Sequence, residues 1–100
     1  MNHSPLCRIP FVRMTVPQAV ELDLCKFMST IRSEANRARL TNYACNAYLR
    51  YLVGRLHGLW YGASSLLIHQ HSSDYERLGV MFEGFCNEAE FLIGQYQEAA

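Results

Sequence analysis

From Cys45 to Leu66 the apolar residues of this chain keep one rhythm. Cys45, Leu49, Leu52, Leu56, Leu59, Ala63 and Leu66 recur at intervals of four and three. A strand buries every second residue, so this repeat fits a helix with one apolar edge. It is the period of an antiparallel bundle or coiled-coil seam, and it predicts a long helix over about residues 41–68. One edge of that length must be covered, which requires further helices or a second chain.

The flanking segments supply helices. Thr15-Val16-Pro17-Gln18 has the residues of a capping box, with Pro17 tolerated in the first turn. Val20, Leu24, Phe27, Met28 and Ile31 follow at helical spacing, and Leu22 and Cys25 widen the stripe. The segment 32–41 is polar and arginine-rich, and Ser33 and Thr41 could each cap a helix, so the first helix is expected over about 16–35 with a loop or bend after it. Ser73-Asp74-Tyr75-Glu76 reads as a second capping box. Leu78, Phe82, Phe85, Ala89, Leu92 and Tyr96 then repeat at four and three, broadened by Met81, Cys86 and Ile93, which predicts a third helix over about 74–97. Half of the residues are hydrophobic and 18% are charged, the balance of a folded chain. The expectation is an all-α fold, a small bundle of three main helices in one domain over 15–100. Residues 1–14, with Pro5 and Pro10 and the alternating Val12, Met14 and Val16, read as an extended N-terminal arm or a frayed end. The polar connection 69–73 is short, so the second and third helices should be antiparallel.

The central helix has a second face. Gly54, Gly58 and Gly62 lie four apart, away from the leucine seam, among Tyr48, Tyr51, Trp60 and Tyr61. Each glycine costs about 1 kcal/mol of helix propensity relative to alanine, so a stripe of three implies an offsetting gain. A smooth stripe admits another backbone closely, and tyrosine and tryptophan are typical interface anchors. The first helix could cover this side. The surplus of apolar and aromatic surface suggests instead a homodimer or a partner protein laid along it.

Charge is divided along the chain. Residues 1–55 carry eight basic and three acidic side chains, a net of +5, while 56–100 carry one and six, a net of −5. Glu76, Glu83 and Glu90 fall seven apart on the third helix, and Arg50 and Arg55 lie on the second, so oppositely charged edges could meet within one chain or across a dimer. The group Arg32, Arg37 and Arg39 has the residue type of a phosphate reader, but the acidic half and the lack of a helix-turn-helix or zinc-finger pattern count against nucleic acid.

Chemistry is thinly represented. His69-x-His71 with Asp74 nearby matches no established zinc spacing, and two histidines at a helix end suit its last carbonyls. His57 reads as a packed or interface histidine. A cysteine–histidine pair would have to be assembled by the fold. Cys7, Cys25, Cys45 and Cys86 are scattered, without a C-x-x-C pair or a secretory apolar core before them. Reduced, mostly buried thiols in a cytoplasmic protein are therefore expected. Arg55, His57 and three glycines interrupt the most apolar stretch, 51–68, which argues against a membrane span. The sequence thus points to a small non-enzymatic regulator without metal or cofactor. Such a protein, an inhibitor, adaptor or anti-activator, would sequester another protein such as a transcription regulator. The expected contacts are Tyr48, Tyr51, Gly54, Arg55, Gly58, Trp60 and Tyr61, with Arg32, Arg37 and Arg39 as rim charges. A nucleic-acid-binding regulator using the arginine-rich half and a small metal or thiol enzyme are the alternatives.

Overall fold

The first helix starts where its capping residues stand. The Gln18 amide donates to Thr15 Oγ1 at 3.3 Å, and the Thr15 amide donates to Gln18 Oε1 at 2.9 Å. The Ala19 amide donates to the Thr15 carbonyl at 2.9 Å, the first turn of the ladder. The computed structural model describes residues 14–41 and 46–99, which form three helices: α1 (Val16–Thr41), α2 (Asn46–Gln70) and α3 (Ser72–Ala99). No strand occurs among the described residues. The arm over 1–13 and Cys45 lie outside them, as does the side chain of Tyr96.

Two boundaries differ from the sequence expectation. The first helix does not break near residue 35 but continues to Thr41. Ala35 and Ala38 are buried, which extends the stripe of Leu24, Met28 and Ile31 by two further turns, while the arginines between them point outward. Arginine is a good helix former, so a polar run on the exposed side need not interrupt a helix whose buried side is unbroken. Between α2 and α3 only His71 is non-helical, so α3 starts earlier than the Ser73–Glu76 box implied. The His71 amide donates to the Leu67 carbonyl at 2.7 Å, and its own carbonyl accepts from the Tyr75 amide at 2.8 Å. One residue thereby ends one helix and begins the next, with Asp74 in the favourable first turn of α3.

Each helix packs on both others. Arg32 pairs with Glu88 and Glu21 with Arg77, two ion pairs between α1 and α3 that span 56 residues each. An equal offset at two levels means that α1 and α3 run parallel, with α2 antiparallel to α3 through the one-residue turn. The core joins Leu24, Met28 and Ile31 of α1 to Leu49, Leu52, Leu56 and Leu67 of α2 and Leu78, Phe82, Ala89 and Ile93 of α3.

The leucine seam leaves the core at its far end. Leu49, Leu52 and Leu56 are buried and Leu59 and Ala63 partly so, but Leu66 is 41% exposed and Leu67 is fully buried. A repeat of 3.5 drifts by about 20° per heptad on a straight helix of 3.6 residues per turn, so after about two and a half heptads the seam has swung by about 50°, half the step between residues, and the next residue points inward better. Trp60 is the larger correction. It is only 7% exposed and lies in the core, not on the glycine face, with its ring stacked on Tyr75 at 5.7 Å and on Phe82 at 5.4 Å. The ring edge also lies against Gly79, where an added Cβ would stand in ordinary contact with the indole at 3.5 Å.

Candidate docking face

With α1 and α3 packed on one side of α2, the other side stays open among the described residues. A Cβ built on Gly54, Gly58 or Gly62 meets nothing within 4 Å, so α1 does not cover the stripe. Around the glycines, Tyr48, Tyr51, Tyr61 and Ile68 are exposed, Tyr61 by 65%. Tyr48 and Tyr51 stack with ring centroids 6.2 Å apart. Arg55 donates to the Tyr51 hydroxyl at 2.9 Å, and its guanidinium stands 5.8 Å from the Tyr51 ring centre and 5.6 Å from that of Phe27, which holds it at the α1 edge of the face. The fold therefore assembles Tyr48, Tyr51, Gly54, Arg55, Gly58 and Tyr61 on one surface and removes Trp60 from it.

The expected rim arginines are placed elsewhere. Arg32 makes a two-pronged bond to Glu88, at 2.7 and 2.8 Å, and lies over the Phe85 ring, so it faces α3. The Arg32 fork holds the Glu88 carboxyl below the usual glutamate range, and Glu88 raises the arginine in turn. Arg37 holds Glu34 and Arg39 holds Asn36, each along α1 itself.

α3 adds surface that sequence reasoning missed. Val80 is 72% exposed and Phe91 64%, with Gly84 open between them. Their signal was available: Val80, Asn87 and Gly94 fall seven apart, as do Gly54, Tyr61 and Ile68 on α2, so each set marks one line along its helix. Beside the α3 line run Glu76, Glu83 and Glu90, all exposed. Arg50 reaches Glu90 across the α2–α3 boundary at 4.0 Å, so the oppositely charged edges do meet within the chain. A shallow open groove of about 380 Å³ beside Trp60 is lined by Tyr75, Gly79, Val80 and two of these glutamates.

The fold also assembles the thiol–imidazole contact that sequence left open. Cys86 Sγ stands 3.4 Å from His57 Nε2, and the His57 ring packs edge-on against Phe82 at 5.2 Å. Burial, then the charges of Glu90 and Glu83, push the Cys86 thiol above its ordinary range, the reverse of nucleophile activation. Cys25 is exposed, contrary to the expectation of mostly buried thiols. His69 is exposed and His71 forms the turn, and among the described residues no group of three or more His, Cys, Asp or Glu is placed to hold a metal ion. No described helix is long and apolar enough to cross a membrane. Comparison with protein-family models, with curated proteins and with solved structures finds no match to this chain.

Proposed function

We propose that this protein is a non-enzymatic interaction module that binds and sequesters another protein through the outer face of α2. The observation that carries this reading is the open glycine line with its exposed aromatic flanks. Three helix-weakening residues are kept where no neighbour among the described residues uses the space they leave. A partner helix laid over Gly54 and Gly58 gains close backbone approach and stacks against Tyr51 and Tyr61. The site offers shape and rings instead of chemistry: its nearest thiol is held protonated, and Arg55 is pinned as a polar border. An inhibitor or anti-activator that masks the helical surface of a regulatory protein, itself able to pair, is the biological form of this reading. The unbridged thiols Cys25 and Cys86 suit a reducing, cytoplasmic setting.

The test is a nuclease-treated pull-down from native extract with wild type, Gly58→Leu, Tyr61→Ser and Arg37→Glu/Arg39→Glu chains. Gly58→Leu should melt at or above the wild-type temperature, since leucine is the better helix former, Tyr61→Ser should melt near it, and both should lose a stoichiometric protein partner. Retention of that partner by both variants overturns the assignment to this face. Nucleic acid recovered without nuclease and lost with the arginine reversal replaces it by a nucleic-acid reading.

A further inference from the structure

We infer that a second copy of this chain packs on the face formed by α2 and α3 together, about a twofold axis parallel to the helices. The inference rests on the reading of α2's outer side as a docking surface and names one occupant for its α3-facing half, which a sequestered partner that uses Gly54 and Tyr61 would have to displace.

The charges select the occupant and the axis. Arg50 on α2 and Glu90 on α3 are both more than half exposed and lie 4.0 Å apart on this face. An axis parallel to the helices sets each α2 against the second copy's α3. Arg50 then meets the second copy's Glu90 while still beside its own, and four alternating charges close a ring around the axis. An axis perpendicular to the helices sets α3 against α3 and brings two rows of Glu76, Glu83 and Glu90 together, which like-charge repulsion opposes. Of the two arrangements, only the first gives Glu90 an opposite charge across the axis.

Shape agrees with charge. The His57–Cys86 and Tyr61–Phe82 contacts fix which levels of α2 and α3 coincide. These contacts put Tyr61 level with Phe82 and Gly54 with Ala89, about 3 Å along the helix from Val80 and Asn87, so across the axis the exposed ring can reach the exposed valine and the asparagine can lie over the position without a side chain. Helices of about 25 residues run about 37 Å, and two of them side by side present a face about 20 Å wide. That amounts to about 700 Å² per copy and about 1,400 Å² in all, within the range of specific interfaces.

The test is the mass in solution, by light scattering and sedimentation at tens of micromolar, of wild type, Arg50→Glu, Glu90→Arg and an equal mixture of the two variants. Wild type should show twice 11.5 kDa. Each reversal alone should weaken the dimer by about tenfold or more, since both contacts across the axis become repulsive. The mixture should restore it. In a mixed dimer the Arg50→Glu chain brings two carboxylates to the ring and the Glu90→Arg chain two guanidinium groups. Both contacts across the axis are then attractive again, although the pair inside each chain stays mismatched. Circular dichroism melts check that the variants fold. A monomeric wild type, or a dimer indifferent to both reversals, or no rescue on mixing, overturns the inference. A monomer that still captures a partner protein through Tyr61 refutes the dimer alone. A rescued dimer that captures no partner refutes the sequestration reading alone.

Discussion

At the scale of single residues, neighbours decide how the same side chain behaves. Cys25 is exposed, whereas Cys86 is half-buried against His57 with its thiol pushed up by burial and by Glu90 and Glu83. Alkylation at neutral pH should label Cys25 at least about tenfold faster than Cys86, as peptide mapping by mass spectrometry would show. Equal rates would mean that the α2–α3 groove opens freely. Glu88 makes a matching case in acid–base terms. Its carboxyl is held low in the folded chain by the Arg32 fork, so the charged form favours folding above the unfolded pKa, and that contribution fades as pH falls through the folded value. The pair is partly exposed, so Glu88→Gln should cost about 0.5 kcal/mol or less at pH 7 and less still near pH 3, measured by urea unfolding at both.

At the scale of elements, the helices were legible because their buried positions recur, and the errors occurred where that recurrence was read too strictly. Helix existence and order follow from the stripes of Leu24–Ile31, Leu49–Leu59 and Leu78–Ala89. The continuation of α1 was carried by Ala35 and Ala38, whose small side chains give a weak apolar signal beside conspicuous arginines. Trp60 was grouped with the tyrosines by chemical type, although a step of four from Leu56 carries it inward toward the α3 side. The docking face was half legible: the glycines announced themselves, but Val80 and Phe91 belong to a surface that only the packing of α3 defines. The drift of the α2 seam gives a direct check. Leu67→Ala should destabilise by about 2–5 kcal/mol, whereas Leu66→Ala should stay within about 1 kcal/mol, compared by chemical denaturation. A reversed order would restore the strict repeat.

At the scale of the whole molecule, the one-residue turn at His71 has a kinetic consequence. Closing a loop this short costs little chain entropy, so α2 and α3 can meet as a hairpin early, with the Trp60–Tyr75–Phe82 stack between them. α1 reaches the pair later, and its two ion pairs to α3 are solvent-exposed at both levels. The bundle should therefore be unequal in time, with the hairpin as the persistent part and the first helix as the part that opens first. Native-state hydrogen exchange should find the α1 amides released together by an opening smaller than global unfolding, while those around Trp60 and Phe82 wait for the whole fold to open. Were α1 to open in this way, each opening would bare a second apolar surface, the inner faces of Leu52, Leu56 and Phe82, for as long as the helix is away.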